Sequence, residues 1–467
     1  MSDTSTASAV SLEKIVSNGY CIGCGACAAA SNGITLEMSD EGQYCVNVSE
    51  NTMVTDAALQ TCPFSDEGPN EDVLGNSFYA ENCTHDVRMG WHHNLYAGHI
   101  AEGKFRENGA SGGVITWILS QLLENNLVDA VIHVRQSDRS DTGVLFKYAI
   151  SRTTSEISER AKSRYYPIEI SEVMEEVRRT PGRYAFVGLP CYVKAVRKMA
   201  GQDQIIKERV TQTVGLVCGH LKSETFSDAL AWEKGINPGD LEEIDFRVKL
   251  PTRGASDYGV YVKSSEEEHT APVRSFIGGD WGLNFFRHSA CDYCDDVFAE
   301  TADVAVGDAW LPEYSGESAG NSVVLVRSPV IGQLIENARS EGRVNFDHIS
   351  ADTMAQSQAG GLRDRREGLA YRLHLKEREQ VWAPRKRVDP SNDIPKKRRQ
   401  IYDQRFKLRE MSHEAWQQAV SKGSFQEFRV FMQPHAARMR AFYKRPLVLR
   451  IIGKILRSLR RLSRTNV

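Results

Sequence analysis

The sequence predicts an α/β (α+β) protein in three parts: a small cysteine-rich module at 11–80, a mixed-sheet domain at 90–362 and a basic helical extension at 376–467. Three observations predict this organisation. Four cysteines group near the N-terminus, and strand-like and helix-like segments alternate through the middle. The charge then changes sign, with 24 Lys and Arg against 8 Asp and Glu after residue 375 but 34 against 53 before it. An anionic partner is therefore expected to bind only the last part of the chain.

Composition restricts the class of protein. With 41% hydrophobic and 25% charged residues among 467, the chain has globular proportions and the length of two or three domains. The first ten residues lack the basic and apolar regions of a secretory signal, and no apolar run is long enough for a membrane span. We therefore expect a cytoplasmic protein, in which grouped cysteines bind metals or react rather than form disulfides.

The N-terminal module contains a C-x2-C-x2-C run followed by a Cys-Pro pair, and the cysteines are Cys21, Cys24, Cys27 and Cys62. Bacterial ferredoxins use such a run and a Cys-Pro to hold 4Fe-4S clusters. A second cluster of that kind would need a cysteine at Ser31, so this ferredoxin-like module is predicted to hold one cluster. Gly23 and Gly25 allow the loop to bend so that thiolates and backbone N–H groups converge. Zinc is the alternative, but zinc sites usually pair two C-x2-C knuckles.

A second set of cysteines lies in the middle of the chain, at Cys191, Cys218, Cys291 and Cys294. Cys191 follows the strand-like run Tyr184–Val187 and Cys218 follows Thr213–Val217, so both are predicted at the carboxyl ends of strands, where open α/β sheets bind ligands. From spacing alone two interpretations stay open: a second 4Fe-4S cluster, or buried free cysteines with one zinc knuckle. Cys45 and Cys83 have no partner at useful spacing and are predicted to be structural.

The middle of the chain alternates between strand-like and helix-like segments, which predicts a mixed sheet. The predicted helices are Gly112–Glu124, Val173–Arg179, Tyr192–Met199 and Val330–Arg339. The predicted strands are Val128–Val134, Tyr184–Val187, Val210–Val217, Val304–Val306 and Ser322–Val326. Near residue 365 the chain becomes basic and polar, and Pro384, Pro390 and Pro395 predict a linker.

The loop Gly109–Gly113 precedes the first of these helices. Its small residues allow a ligand to approach the backbone, Ser111 can cap the helix, and a helix N-terminus favours phosphate. On spacing alone, an ordinary turn explains the loop as well. Neither a G-x-G-x-x-G nor a Walker A sequence occurs, so a dinucleotide would have to be held in another way.

Together these stretches resemble the beta-subunit family of coenzyme F420 hydrogenases and dehydrogenases, which includes the chloroplast hydroxymethyl-chlorophyll reductase. The resemblance covers residues 15 to 360, and the order of the motifs is more specific than any one of them. The motifs are the run at Cys21, Ala110–Val114, Lys162–Tyr165, Phe186–Cys191, Cys291–Cys294 and Ala302–Asp308. The basic extension lies outside the resemblance.

The resemblance implies a second 4Fe-4S cluster at Cys191, Cys218, Cys291 and Cys294, and it implies FAD. Family members place the Ser-Gly-Gly loop and the Lys-Ser-Arg-Tyr segment near the flavin, and the matching residues are Ser111, Gly112, Gly113, Lys162, Ser163, Arg164 and Tyr165. A cation at this place would stabilise the reduced flavin or the bound phosphate. Without the family resemblance, Lys162 and Arg164 would be assigned to a solvent-exposed face. Asp308 is either an acid near the site or a turn residue after a strand.

These features predict an oxidoreductase in which a ferredoxin-type donor passes single electrons through two 4Fe-4S clusters to FAD, and FAD delivers a hydride equivalent to an organic acceptor. The acceptor is expected to be a small molecule, and kinship to bacterial members points to a cell-surface polysaccharide intermediate. Two alternatives stay open: an electron-transfer subunit without its own substrate, and an oxidoreductase of the deazaflavin F420.

The basic extension ends in an amphipathic pattern at Leu447–Leu462, with apolar residues every three to four positions and cations beside them. Such a helix can lie on an anionic membrane surface, which would make the protein peripheral on the inner membrane face, or it can bind a protein partner. Packing on the acidic body is the alternative. Nucleic acid is a poor fit, because the extension has few aromatic residues for stacking on bases.

Overall fold

The computed structural model describes residues 11–48, 54–159 and 161–444. These residues divide into two compact units. The first unit comes from residues 1–279 and 286–394, and the second comes from residues 280–285 and 395–467. None of the helices in the described ranges combines the length and the apolar character needed to cross a membrane.

The described chain alternates between strands and helices for most of its length. The strands are β1 Ile34–Met38, β2 Tyr44–Val48, β3 Thr84–Asp86, β4 Gly90–His92, β5 Asn94–Ile100, β6 Ala130–Gln136, β7 Phe146–Ser151, β8 Tyr184–Gly188, β9 Val210–Leu216, β10 Glu243–Val248, β11 Gly259–Lys263, β12 Glu268–Pro272, β13 Val304–Asp308, β14 Ser322–Val326 and β15 Val344–His348. The α-helices are α1 Leu12–Ser17, α2 Ala26–Ala30, α3 Asp56–Thr61, α4 Glu71–Tyr79, α5 Phe105–Asn108, α6 Val114–Glu124, α7 Arg139–Thr142, α8 Thr154–Glu159, α9 Ser171–Arg179, α10 Pro190–Ala200, α11 Gln204–Arg209, α12 Thr225–Trp232, α13 Pro329–Ser340, α14 Ala351–Ser357, α15 Ala359–Arg363, α16 Leu369–Arg378, α17 Lys396–Ser421 and α18 Phe425–Ala441. Short 3-10 helices lie at Val273–Ser275, Trp281–Leu283 and Ser289–Tyr293, and a π-helical turn lies at Asp364–Gly368.

Eight strands of the first unit form one mixed sheet in the order β15-β5-β14-β13-β9-β8-β6-β7. The central strands β13, β9, β8 and β6 are parallel, and the outer strands are antiparallel to their neighbours. Both faces are buried: Ala185 and Val187 pack with α6 and α13, whereas Tyr184 and Phe186 pack with α10 and the N-terminal helices. Burial on both faces explains why these strands appear in the sequence as continuous apolar runs.

The predicted mixed α/β fold is confirmed. Each predicted strand and helix of the middle domain is present, and β14 has the predicted bounds. The other ends either coincide with the predicted ones or differ by one or two residues. The helix predicted from Gly112 begins at Val114, because Gly113 before it has a φ of +79° and serves as the N-cap.

The N-terminal module consists of two short helices, the β1–β2 hairpin and α3. It packs on α9, where the Ile170 N–H donates to the Cys24 carbonyl at 2.9 Å. At the hairpin turn, the Gly42 carbonyl accepts the N–H of Glu224 at 2.7 Å. The module therefore shares its buried surface with the large-sheet domain instead of folding around a separate core.

The stretch that becomes basic and polar near residue 365 is not a solvated segment in its first part. Residues 364–378 form the π-helical turn and α16, and Arg365 and Arg372 on them are buried. A run of arginines looks like a solvated face in the sequence. Here the polar partners lie in the protein interior: the Arg372 guanidinium donates to the backbone carbonyl of Asp292 at 2.6 Å and lies 3.3 Å from the Asp364 carboxylate.

Residues 382–388, which we call the strap, also form specific contacts. Trp382 packs edge-on against Tyr20, with ring centroids 5.4 Å apart. The backbone N–H of Arg385 donates to the Asp66 carboxylate at 2.7 Å, and the Arg387 guanidinium pairs with Glu300 at 2.6 Å. The strap thus joins the N-terminal module to the segment that follows Cys294.

The second unit contains α17 and α18, which pack on each other through buried residues such as Leu408, Ala415 and Met432. Phe285 contacts Phe428 edge-on, with ring centroids 6.1 Å apart. The predicted helical character of the C-terminal extension is confirmed for these two helices. The amphipathic segment predicted at 447–462 lies outside the described residues.

Candidate functional site

The first cysteine group consists of Cys21, Cys24, Cys27 and Cys62. Cys21 and Cys24 lie on the loop before α2, Cys27 lies in the first turn of α2, and Cys62 is the C-cap of α3. A Cβ on Gly23 would lie 2.4 Å from the Tyr44 carbonyl oxygen, and one on Gly25 would lie 2.5 Å from a Glu169 carboxylate oxygen. Both glycines also have positive φ, so the tight loop requires them. The four cysteines line one cavity whose other walls are mostly apolar.

Every sulfur of the first cysteine group accepts backbone N–H groups. The donors are Gly23 and Val46 for Cys21, Ala26 for Cys24, Ala28 for Cys27, and Phe64 and Ser65 for Cys62. Burial nevertheless raises the pKa of all four thiols, to about 12 for Cys21. Buried thiols this close together cannot all ionise unless a positive charge joins them. A bound metal centre supplies that charge and deprotonates its ligands.

The second cysteine group consists of Cys191, Cys218, Cys291 and Cys294. Cys191 follows β8 at the start of α10, and Cys218 follows β9, the parallel neighbour of β8, so the predicted placement at strand ends is confirmed. The Cys291 sulfur accepts the N–H of Leu221 at 3.3 Å. Burial raises the pKa of the Cys191 thiol, and the other three cysteines of the group raise it further. The fold therefore brings these four dispersed cysteines together.

The two cysteine groups are neighbours. After its own group, the next charge that raises the pKa of Cys191 is that of Cys24. Burial raises the pKa of Tyr148 and of Tyr192, and both Cys191 and Cys24 add to each shift. The two tyrosine ring centroids lie 6.2 Å apart. A pair of packed aromatic rings therefore lies beside both groups.

Buried cations that the sequence did not indicate surround the cysteines. Lys198, on the buried side of α10, donates to the carbonyl oxygens of Cys62 at 2.7 Å and Glu67 at 2.9 Å. Burial, reinforced by Lys194, lowers its pKa to about 8. Near the second group, the guanidinium of Arg287 donates to the Cys291 carbonyl at 2.6 Å. Sequence reasoning missed Lys198 because its carbonyl partners are more than 130 positions away along the chain, whereas the partner of Arg287 is four residues away and no motif indicated it.

One edge of the large sheet carries residues from several predicted parts of the site. Cys191 and Cys218 follow the ends of β8 and β9, and Asp308 is the last residue of the neighbouring β13. Asp308 pairs with Ser322 of β14, whose hydroxyl accepts the N–H of Gly112 at 3.2 Å. The Ser-Gly-Gly loop therefore lies at the same edge as the second cysteine group, which is where open α/β sheets bind ligands.

The Ser-Gly-Gly loop does not have the predicted local structure. Ser111 does not cap α6, because its hydroxyl donates to the Asn321 carbonyl at 2.9 Å. A Cβ on Gly113 would lie 2.4 Å from the Phe105 carbonyl oxygen, and one on Gly112 would lie 2.8 Å from the Gly98 carbonyl oxygen. Both glycines are thus required by packing of the chain against itself. Contact of this loop with a phosphate stays a prediction.

The Lys-Ser-Arg-Tyr segment lies against β10. Lys162 has a φ of +118°, and its ammonium is 3.0 Å from the Asp245 carboxylate on that strand. The Arg164 guanidinium lies 4.9 Å from the centre of the Phe146 ring, and its Nε is buried without a hydrogen-bond partner. Neither cation therefore belongs to a simple solvated face.

Asp308 is held by a buried arginine. Both of its carboxylate oxygens accept from Arg247 of β10, at 2.7 and 2.9 Å. Arg247 is 5% exposed and also hydrogen-bonds Tyr165, which in turn hydrogen-bonds Ser163. Burial raises the pKa of Tyr165, and the charge of Asp308 adds to the shift. A carboxylate with both oxygens so engaged is suited to positioning its neighbours.

Lys249 joins the Ser-Gly-Gly loop to this cation-rich region. Its ammonium donates to the carbonyl oxygens of Arg106 and of Ser111, the latter at 3.0 Å. Burial lowers its pKa to about 8, and the positive charges of Lys162, Arg106 and Arg247 lower it further. Carboxylates pair with the other three cations, whereas Lys249 donates to backbone carbonyl oxygens, so its ammonium is the charge that suits an anionic ligand.

Within residues 11–48, 54–159 and 161–444, no three or more His, Cys, Asp or Glu side chains are arranged to hold a single metal ion. In a 4Fe-4S cluster each of four cysteine thiolates binds a different iron of a cuboid, so the sulfurs lie farther apart than ligands of one ion. Iron and zinc analysis distinguishes the two kinds of centre.

Comparison with known proteins gives two family matches, both to the beta subunit of coenzyme F420 hydrogenase/dehydrogenase. Residues 95–175 match the model of the N-terminal part of this subunit, and residues 182–352 match the model of its C-terminal part. Together the models cover the large sheet and the second cysteine group. Neither model extends to the first cysteine group.

Curated relatives occur in Methanocaldococcus jannaschii. An uncharacterised protein is 22% identical over 246 residues, which are 52% of this chain and 84% of the relative. A coenzyme F420-dependent sulfite reductase is 24% identical over 361 residues, covering 72% of this chain but only 49% of the reductase. A second uncharacterised protein is 21% identical over 369 residues, covering 72% of this chain and 91% of the relative.

Among solved structures, a chain of the F420-reducing [NiFe] hydrogenase complex from Methanosarcina barkeri is similar, with 18% identity and a TM-score of 0.48. The similarity covers 64% of this chain and 99% of that chain. The two family models account for more than half of the sequence. The chain therefore belongs to the coenzyme F420 hydrogenase/dehydrogenase beta-subunit family of oxidoreductases.

Proposed function

We propose that the protein is an iron–sulfur flavoprotein that carries electrons from a ferredoxin-type donor to an organic acceptor. In this proposal the two cysteine groups hold one 4Fe-4S cluster each, and FAD binds between the Ser-Gly-Gly loop and the Lys-Ser-Arg-Tyr segment. The observation that carries the proposal is the proximity of two four-thiol groups, of which one lies at the ligand-binding edge of the sheet.

The donor sets fit iron–sulfur clusters. Each group offers four thiols, and those of the first group accept N–H bonds of the kind that stabilise cluster sulfurs. Mostly apolar walls limit the access of water to the first group. When bound, such clusters accept and release single electrons. Tyr148 and Tyr192 lie near both Cys24 and Cys191, with ring centroids 6.2 Å apart, so two aromatic rings lie beside both groups.

The positively charged side chains near the Ser-Gly-Gly loop suit the negatively charged pyrophosphate of FAD. Lys249 places positive charge at the loop backbone, where it donates to the carbonyl oxygens of Arg106 and Ser111, and the buried Nε of Arg164 lacks a hydrogen-bond partner among the described residues. An anionic pyrophosphate would satisfy these groups. The flavin, when bound, exchanges single electrons with clusters and a hydride equivalent with an organic molecule. The pair formed by Arg247 and Asp308 orients Tyr165 toward the same region.

Metal and flavin analysis of anaerobically purified protein tests the proposal. We expect about eight non-haem irons and matching sulfide per chain, because each four-thiol group would hold four irons. Cys24→Ser and Cys291→Ser should each remove about half of the iron, and FAD should be released on denaturation. Cys45→Ser serves as the control, because Cys45 lies in β2 outside both groups. Stoichiometric zinc in place of iron would contradict the proposal.

A second candidate function is an electron-transfer subunit that has no substrate of its own. The observation in its favour is that the match to the F420-dependent sulfite reductase covers 49% of that protein, so the shared region is part of a larger enzyme. Turnover of an organic acceptor by the isolated chain with reduced ferredoxin would support the first function. Cluster reduction without turnover, restored by a co-purifying subunit, would support the second.

A further inference from the structure

Arg365 is a buried guanidinium beside the second cysteine group. Its side chain is 1% exposed and hydrogen-bonds the sulfur of Cys294. The other nearby groups that can carry negative charge are Asp364, as a carboxylate, and Cys218, once its thiol is ionised. Among the described residues, none accepts a hydrogen bond from the buried Arg365 Nε. Sulfur is thus the main partner of this cation.

The other buried arginines nearby already occupy the carboxylates. Arg287 lies 3.1 Å from Asp364 and 3.3 Å from Asp292, and Arg372 lies 3.3 Å from Asp364. A buried cation without a fully available counter-ion is costly, so it requires another anion nearby. The thiols of Cys218 and Cys294 become that anion when they bind metal as thiolates.

The backbone at Arg365 is unusual in a way that favours a specific role. The π-helical turn Asp364–Gly368 interrupts the helical run between α15 and α16. It directs two successive side chains, Asp364 and Arg365, into the interior. Single π-helical turns within α-helices occur often at functional sites.

The first cysteine group has a different electrostatic environment. Its nearest buried cation, Lys198, donates to the carbonyl oxygens of Cys62 and Glu67. Each sulfur of that group accepts N–H bonds from the backbone, and none of the hydrogen bonds to these sulfurs that the described residues show comes from a guanidinium. A charged donor at the sulfur therefore distinguishes the second group.

We propose that Arg365 is a positioning residue that balances the charge of the cluster at the second cysteine group and so makes this cluster easier to reduce than the first. The inference rests on the proposed function. A four-thiolate cluster is an anion that gains one further negative charge on reduction, so a fixed positive charge at a sulfur favours the reduced form. One electron leaves the first cluster, which is oxidised, and enters the second, which is reduced, without transfer of a proton. Electrons would then accumulate at the sheet edge that carries the flavin region.

Potentiometric titration followed by electron paramagnetic resonance tests the inference. The signal of the second cluster is identified as the one lost in Cys291→Ser. In Arg365→Met, the reduced-to-oxidised ratio of this cluster at the wild-type midpoint should fall at least about tenfold, equivalent to about 59 mV for one electron. Arg365→Lys should recover part of the shift. Arg378→Met is the control, because Arg378 lies on α16 with a side chain that is 63% exposed, and it should change nothing.

Iron content and thermal unfolding are measured for every variant. Loss of the second cluster in both Arg365→Met and Arg365→Gln, but not in Arg365→Lys, would also support the inference. It would show that the positive charge at position 365 stabilises the cluster. Equal potentials in the Lys and Met variants would overturn the inference, and so would loss of the cluster from a folded Lys variant. Absence of a second cluster in the wild-type protein would instead contradict the proposed function.

Discussion

The phenol of Tyr20 donates a hydrogen bond to the carbonyl oxygen of Trp382, 3.1 Å away and separated from it by 362 positions in the chain. The same Tyr20 ring contacts Tyr293, next to Cys294, edge-on with centroids 4.9 Å apart. Tyr20 therefore touches both the strap and the segment that carries two cysteines of the second group. This contact helps fix the distance between the cysteine groups, on which the rate of electron transfer depends.

Trp382→Ala should loosen the N-terminal module. The substitution removes the ring contact with Tyr20 and the cation contact with Lys14, whose ammonium is 5.1 Å from the indole centre. We expect a loss on the order of 2 kcal/mol in the free energy of unfolding, less than for a fully buried tryptophan. Magnetic coupling between the clusters should weaken as well. Val381→Ala is the control on the neighbouring exposed residue, and unchanged coupling in Trp382→Ala would show that the strap does not set the distance.

The affinity for FAD should depend on the ionisation of Lys249. The pKa of this residue is lowered to about 8 by burial and by neighbouring cations, so the free protein loses the charge above that pH. A bound pyrophosphate raises the pKa, so binding takes up a proton above pH 8 and the affinity falls by up to about tenfold per pH unit. Below pH 8 the affinity should be nearly constant.

Fluorescence titration with FAD between pH 6.5 and 9.5 measures this dependence. Lys249→Gln should bind FAD weakly and without the decline above pH 8. Lys207→Gln, an exposed lysine on α11, should behave as the wild type. If the affinity of Lys249→Gln for FAD still declined above pH 8, a group other than Lys249 would be responsible for the pH dependence.

Asp308→Asn should affect stability more than proton transfer. The buried guanidinium of Arg247 would lose a charged partner that accepts two hydrogen bonds, and we expect a loss of about 3 kcal/mol in the free energy of unfolding. Asp129→Asn is a matched control, because Asp129 also accepts two bonds from one arginine, Arg183, but at the surface. Its loss should stay below about 1 kcal/mol. If Asp308→Asn removed one limb of the pH–rate profile while the free energy of unfolding hardly changed, Asp308 would instead act in proton transfer.

Gly113→Ala and Gly143→Ala separate backbone strain from packing. Both glycines have nearly the same positive φ, +79° and +75°, but a Cβ at Gly143 meets no atom within 4 Å. Gly143→Ala should therefore cost only the strain of the left-handed conformation, about 1–2 kcal/mol. Gly113→Ala adds a collision with the backbone of Phe105 and should cost clearly more. Chemical denaturation measures both, and equal losses would contradict the packing role.

Most of the sheet could be predicted from sequence because its signal is local. The apolar run Ser322–Val326 is buried on both faces, and such runs reveal strands without knowledge of their neighbours. The positions of Cys191 and Cys218 followed from the strands before them. Their convergence with Cys291 and Cys294 came only with the family resemblance, because about 70 residues separate Leu221 from Cys291, which it contacts.

Other features depended on partners that local patterns do not reveal. The arginines of 364–378 look solvated until Asp292, Asp364 and the thiols are placed around them. The helical spacing of Leu362, Leu369 and Leu373 is the signal in the sequence that indicates a helix there. Likewise, no local pattern reveals that the chain itself blocks the Cβ positions of Gly112 and Gly113, whose contact with a ligand stays a prediction.

The second cysteine group and the Ser-Gly-Gly loop lie at one edge of the large sheet, and the opposite edge carries short connections between helices and strands. The turn at 180–183 is one of these, between α9 and β8, and Gly182 there has open space around it, because a Cβ at this position would lie no closer than 3.6 Å to any neighbouring atom. Lengthening a surface turn costs little, since loop-closure entropy grows only slowly with length. This turn is therefore a suitable insertion point for a fluorescent reporter or an electrode-anchoring tag that leaves electron transfer intact.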